Sequence, residues 1–219
     1  MNGARSVEDR LRAEYVSLLP AMRRTLTQIE TEVSYALLPV TLEVHRYERI
    51  LVKARLKECE SAVDSLRRRQ EGGRFDTDKR NTYSLASLPD LVGVRVLTFP
   101  QRRFADAQQL VLSKITGWTA DPILGANPDE PPIALKYHGL WNPEDRITAE
   151  IQIVSLLIGL FWEVEHSAIY KPSPNLRGVA KSIAMKSRTA AVLTALKEFE
   201  EEFGLQLDGI VGATSSDAG

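Results

Sequence analysis

The sequence predicts an α+β protein in which a small mixed or antiparallel sheet is flanked by helices. Three observations carry that reading. Both ends of the chain read as long helices, residues 91–99 form a β-branched apolar run closed by Pro100, and residues 147–154 alternate by side-chain character. At 219 residues the chain has the length of one domain, or one domain with extra helices, and can bury a sizeable core.

Taken in order, Leu11, Tyr15, Leu18, Leu19, Met22, Leu26 and Ile29 recur at spacings of three and four, so Val7 to Tyr35 is an amphipathic helix that can bend at Pro20. A second helix starts near Val40. Its end is open, because Leu51 to Lys57 reads at either period, whereas Ser61 through Arg69 is helical again. Gly72-Gly73 and the polar run to Pro89 form a long connection. Leu91 to Phe99 reads as a buried strand and Arg103 to Lys114 as a short helix. A loop rich in Pro, Gly and Asp, from Asp121 to Pro132, leads to IALKYHGLW. A turn at Asn142-Pro143 and the segment ITAEIQIV complete an antiparallel pair. In that last segment Ile147, Ala149, Ile151 and Ile153 share one face, and Thr148, Glu150, Gln152 and Val154 the other, so an acid and an amide face away from the core. Helices follow at about Ser155 to Tyr170 and Leu176 to Phe203, separated by Pro172 and Pro174. The expected organisation is a helical segment over residues 1–40, a folded domain over 41–205 and a flexible tail over 206–219.

Composition narrows the function. Lys plus Arg number 28 against 29 for Asp plus Glu, so no global field draws the chain to nucleic acid or to an anionic membrane, and any anion site must be local. The charge is nonetheless segregated: Ile50 to Arg103 holds twelve basic and seven acidic residues, net +5, and the remainder is −6, which favours a phosphate-bearing ligand near the middle of the chain. A solvated, salt-bridged helix face is the plain alternative. Cys59 is the single cysteine, which excludes a disulfide framework and a cysteine-cluster zinc site and suits a reducing, cytoplasmic location. The first twenty residues have no continuous apolar core, and the longest apolar stretch, Ile153 to Trp162, is too short to cross a bilayer, so no membrane contact is expected.

The common fingerprints of nucleotide loops, zinc helices and nucleophile elbows are absent, so recognition rests on scattered residues. Four patches stand out. The first is Arg55, Lys57 and Ser61; if this piece is extended, Arg55 and Lys57 point the same way, and if helical they lie about 200° apart. The second is Asp90, Gly93 and Arg95, an acid at the mouth of a buried strand with an arginine inside it. The third is Tyr137-His138. The fourth is Glu150 and Gln152, followed by Trp162, Glu165, His166, Tyr170 and Lys171. Each has an ordinary structural reading too: a buried imidazole bonding backbone, a tryptophan tying the last helix to the sheet, a lysine satisfying helix-end carbonyls.

Together these patches resemble the RelA/SpoT alarmone synthetase domain, whose pattern runs R-x-K-x-x-x-S, D-x-x-G-x-R, G-Y-x-S-x-H and E-x-Q-x-R-T. The resemblance spans about Arg55 to Lys171 and implies a nucleotidyltransferase-like synthetase fold. It implies a pyrophosphotransferase that moves the β,γ-pyrophosphate of ATP to the 3′-hydroxyl of GDP or GTP, giving (p)ppGpp. By that resemblance Asp90 and Glu150 hold Mg2+, and both are catalytic, with Glu150 accepting the acceptor's proton. Arg55 and Arg95 lie against adenine, where flat guanidinium groups stack. Lys57 and Ser61 meet phosphate, and Tyr137, His138 and Gln152 line the acceptor side. Three positions depart from the pattern: Ala134 stands where the stacking tyrosine is expected, Val154 for the arginine after E-x-Q-x, and Ser65 for a lysine four residues after the serine.

The altered acceptor loop admits relatives that modify adenine nucleotides or the tRNA 3′ end, with Arg67 to Arg69, Lys79, Arg80, Arg102 and Arg103 as an RNA-backbone surface. An antitoxin partner or a homo-oligomer goes with that reading. A nucleotide-sensing or partner-binding module without catalysis is the nonenzymatic rival.

Overall fold

The computed structural model describes residues 6–73, 83–124, 132–166 and 182–216. Its elements are α1 (Val7–Ala36), α2 (Leu38–Leu42), β1 (Arg49–Leu56), α3 (Cys59–Glu71), a 3-10 turn (Leu85–Ser87), β2 (Val92–Phe99), α4 (Arg103–Leu112), β3 (Thr119–Ile123), β4 (Ala134–Leu140), β5 (Thr148–Ser155), α5 (Leu156–Glu165) and α6 (Ile183–Ser216). The sheet has five strands in the order β1-β2-β5-β4-β3. The expected α+β class therefore holds.

The chain divides into two compact units, one of residues 1–38, 52–96 and 110–152, the other of 39–51, 97–109 and 153–219. In the first, the Ser6 hydroxyl caps α1 by accepting the Asp9 N–H at 3.1 Å, and Glu8 and Asp9 suit the positive end of the helix dipole. The helix runs unbroken through Pro20 and buries Leu11, Met22, Thr25, Ile29 and Val33; of the periodic set expected, Leu11, Met22 and Ile29 are buried, while Tyr15, Leu18, Leu19 and Leu26 are half-buried. That face packs against α3 and the 3-10 turn. In the second unit α5 packs on α6, and Gly159 is pressed so closely to its neighbours that an added Cβ would stand 2.4 Å from Leu97 Cδ2. Phe99 meets Phe203 at 5.1 Å between ring centroids.

The structure corrects three local expectations. The second helix shrinks to Leu38–Leu42, and the ambiguous stretch beyond it is a strand, with Ile50 buried, Leu51 exposed and the remaining residues alternating. The loop expected from Asp121 begins as β3, paired antiparallel with β4 from Thr119↔His138 to Ile123↔Ala134. Its five residues carry no apolar alternation and include Pro122, which an edge strand tolerates because one row of its N–H groups has no ladder partner. Finally, α6 continues as helix to Ser216, through most of the stretch expected as a tail. Tyr170, Pro172, Pro174 and Leu176 lie outside the described residues.

The expected hairpin partners β4 and β5 are hydrogen-bonded neighbours. The connection between them, residues 141–147, is too short for a parallel crossover.

Candidate active site

All the residues of this site belong to the first unit. Arg49–Leu56 is a strand, so this stretch is extended rather than helical, and the charges of both Arg55 and Lys57, the residue after the strand, act on Asp90. Arg55 lies across β2 at Gly93, where a Cβ would touch its Nε at 3.4 Å and its Cγ at 3.5 Å; a bare glycine lets the arginine lie close. Lys57 follows the end of β1, is only 9% exposed, and is tied to the start of β2 by its N–H, which donates to the Leu91 carbonyl at 2.9 Å.

Lys57 Nζ donates to Asp90 Oδ2, and Asp90 Oδ1 is buried with no hydrogen-bond partner among the described residues. Burial alone would push the Asp90 carboxyl up. The Lys57 charge and hydrogen bond, then the charges of Arg69 and Arg55, outweigh it and hold the group below its ordinary value. Asp90 is thus an anion with one oxygen committed and one bare.

Arg69 was not singled out for this site by its sequence context. Arg67 pairs with Asp64 at 2.9 Å, and Arg68 Nε reaches the Asp64 carbonyl at 3.4 Å, so both serve α3 itself. Arg69 instead lies eight residues beyond Ser61 and four beyond Ser65, on the helical face that these serines share. That spacing was the available signal.

The other half of the site is a polar row on one face of the sheet. Arg95 Nε in β2 donates to Gln152 Oε1 in β5 at 2.8 Å. Two residues before Gln152 on the same face, Glu150 is 12% exposed, and its Oε2 stands 3.9 Å from His138 Nδ1 in β4. His138 Nε2 in turn stands 3.8 Å from Asp121 Oδ2 in β3. His138 Nδ1 is buried and has no hydrogen-bond partner among the described residues. Residues from all five strands therefore converge on this face, and Asp121 joins them only because β3 exists. Ser61 sits partly exposed in the first turn of α3.

Several expected residues are elsewhere. Tyr137 is 4% exposed and, as the strand neighbour of His138, projects from the opposite side of β4, away from the face that carries His138. Ala134 is fully buried, which leaves its position no open space for a stacking ring. Arg102 and Arg103 hold the fully buried Glu48 at 2.8 and 2.9 Å in the second unit. Trp162 and Glu165 belong to α5, and His166 closes that helix by donating its N–H to the Trp162 carbonyl. Lys79, Arg80, Tyr170 and Lys171 lie outside the described residues.

No family model and no curated protein matches the sequence. Solved structures do match. The small alarmone synthetase 1 from Bacillus subtilis is 15% identical, with a TM-score of 0.63 over 90% of this chain and 99% of that one. The same Bacillus protein bound to its product pppGpp matches at 15% identity and TM-score 0.61, over 90% and 99% of the two chains. A GTP pyrophosphokinase family protein from Streptococcus pneumoniae is 20% identical, with a TM-score of 0.61 over 91% of this chain and 96% of that one. This chain has the small alarmone synthetase fold.

Proposed function

We propose that this chain is an ATP-dependent pyrophosphotransferase that moves the β,γ-pyrophosphate of ATP to the 3′-hydroxyl of GDP or GTP. The observation that carries the reading is the single polar face on which Arg55, Lys57, Asp90 and Arg95 stand beside Glu150, Gln152 and His138, on a fold whose known examples include one bound to pppGpp. Phosphoryl transfer asks a protein chiefly for positioning and for charge stabilisation, and this face offers cations for a polyphosphate and carboxylates for a cation and a proton.

In the proposed reaction a bond forms between the acceptor 3′-oxygen and the β-phosphorus of ATP. The bond from that phosphorus to the α–β bridging oxygen breaks, and AMP leaves. Glu150 receives the 3′-hydroxyl proton. Lys57 and Arg69 hold the polyphosphate as charges, while Arg55 and Arg95 offer planar surfaces to the base. The residues also fit a hard cation. Asp90 Oδ1 is a bare buried acceptor, Glu150 is a second carboxylate, and Mg2+ takes few protein ligands when substrate phosphates complete its shell. Among the described residues no cluster of three or more acidic, His or Cys ligands exists, which suits such a shared site rather than an all-protein cage. When bound, the cation neutralises charge on the phosphoryl oxygens.

The test is to incubate the protein with γ-labelled ATP and magnesium and, separately, GDP, GTP, AMP and bulk tRNA. Label on GDP or GTP supports the reading. Label on AMP or tRNA alone moves the acceptor to another class, and no label anywhere leaves a nucleotide-binding module.

A further inference from the structure

We infer that Tyr15 and Glu14 of α1 are positioning residues for the donor half of the site, holding the backbone that carries Lys57 and leads to Asp90. The inference rests on the proposed function for its consequence and on hydrogen bonds for its geometry.

Lys57 and Asp90 come from segments 33 residues apart, and neither belongs to a regular element: Lys57 follows the last residue of β1, and Asp90 precedes the first of β2. Such positions are free to shift unless something outside them fixes the backbone. One short stretch of α1 does so. The Tyr15 hydroxyl donates to the Lys57 carbonyl at 2.8 Å. With the Lys57 N–H already bonded to Leu91, both backbone polar groups of this residue are engaged. Glu14 Oε1 accepts the Ser84 hydroxyl and the Leu85 N–H, the latter at 3.0 Å, at the entry to the 3-10 turn that runs toward Asp90. Arg10, one helical turn before Glu14, donates to the Tyr83 carbonyl, and Arg12 Nε donates to Glu60 Oε1 at 2.8 Å in the first turn of α3. The segments that deliver Lys57, Ser61 and Asp90 are therefore each bonded to α1 between Arg10 and Tyr15. The helix is the outer jaw that sets how far Lys57 stands from Asp90.

The experiment compares wild type with Tyr15→Phe, Glu14→Ala and Glu14→Gln. Tyr15→Phe deletes one hydroxyl, and Glu14→Gln keeps the Oε1 acceptor. Tyr15→Phe, which removes one hydrogen bond, should weaken binding of α,β-methylene-ATP about three- to tenfold by titration calorimetry, and Glu14→Ala, which removes two, at least as much. They should raise KM for ATP with little change in kcat, and Glu14→Gln should recover most of the loss. The Lys57 and Glu58 amides in Tyr15→Phe should exchange with solvent several-fold faster in nuclear magnetic resonance, since the Lys57–Glu58 peptide loses the anchor on its carbonyl. Unchanged affinity together with unchanged exchange of both amides overturns the inference, as does a loss of activity that only tracks a fall in melting temperature. A wild-type protein that binds no ATP analogue overturns the function reading instead, and the exchange of the Lys57 and Glu58 amides then still decides whether Tyr15 holds that peptide.

Discussion

Arg95 and Gln152 hold each other, Nε to Oε1 at 2.8 Å, so the arginine expected on the adenine and the amide expected on the acceptor are one hydrogen-bonded unit across β2 and β5. Truncating either one should therefore disturb both substrates. Gln152→Ala is expected to raise KM for ATP as well as for the acceptor. Arg95→Ala should weaken ATP by about 1–2 kcal/mol, and Arg95→Lys should rescue poorly because it lacks the flat fork. Equilibrium binding of an ATP analogue to the three variants checks this; full affinity in Gln152→Ala would mean the amide orients nothing.

Asp90→Asn and Glu150→Gln should each abolish transfer while keeping the far-UV circular dichroism of the wild type, since each swap preserves volume and removes a charge. Asp90→Asn also strands Lys57, which is 9% exposed, so a loss of roughly 1–3 kcal/mol in urea unfolding should accompany it. Because Asp90 is held below its ordinary value of 3.8, this contribution is complete above that pH and fades as the pH falls below it. An active Glu150→Gln would remove the proton acceptor.

Ala134, the position at which the motif resemblance expects a stacking tyrosine, is fully buried. Ala134→Tyr should overpack the site, losing on the order of 1–3 kcal/mol, and should not improve turnover with GDP. Thermal unfolding and steady-state kinetics measure the two effects; a stable variant with faster GDP transfer would show that β4 can open a stacking surface.

Glu48 anchors the second unit. Its carboxylate has no exposed surface and receives Arg102, Arg103 and the His45 N–H. Burial pushes its pKa up, but these donors outweigh that and bring it down to about 2. Its stabilisation should be fully present above the ordinary value of 4.5 and vanish as pH falls through about 2. Glu48→Gln removes the carboxylate that Arg102 and Arg103 share, while Arg103 keeps Asp106 at 3.2 Å, and should lose about 3–5 kcal/mol at pH 7. An equally stable variant would show that water replaces the carboxylate.

Glu200 behaves in the opposite sense. It is 1% exposed, accepts the Leu157 N–H at 3.2 Å at the start of α5, and its Oε2 has no hydrogen-bond partner among the described residues. Burial raises it to about 7, against partial relief from Ser155 and the Leu157 N–H. The folded state then binds the proton more tightly than the unfolded chain, so this group's stabilisation is full below about 4.5 and is lost as pH rises through about 7. Glu200→Gln should be more stable than wild type above pH 7, by up to roughly 3 kcal/mol, with the difference shrinking toward pH 4. Melting temperatures across that range test it, and parallel curves would sink it.

Local pattern alone determined the elements whose periodicity was unmistakable. The stripe of α1, the apolar run of β2 and the alternation of β5 each reflect a geometry that repeats every 3.6 or every two residues, so the chain carries them in its own order. The same alternation placed Glu150 and Gln152 together and set Arg95 inside β2. The motif resemblance pointed to the fold that the solved structures share. Tertiary structure decided what pairing decides. Residues 51–57 fit either period until β1 paired with β2, and that pairing made Leu51 to Leu56 extended, with Lys57 tied to Leu91 just beyond its end. The exposed β3 exists through its ladder to β4, which brings Asp121 to His138. Tyr137 was assigned by its neighbour in sequence and removed by the pleat. Arg102, Arg103 and Arg69 look alike in a basic run, yet the first two serve a buried glutamate and the third acts on Asp90. A charge's role depends on which partner the fold brings within a few ångströms, and that partner is 54 residues away for Arg102, 55 for Arg103 and in another segment for Arg69.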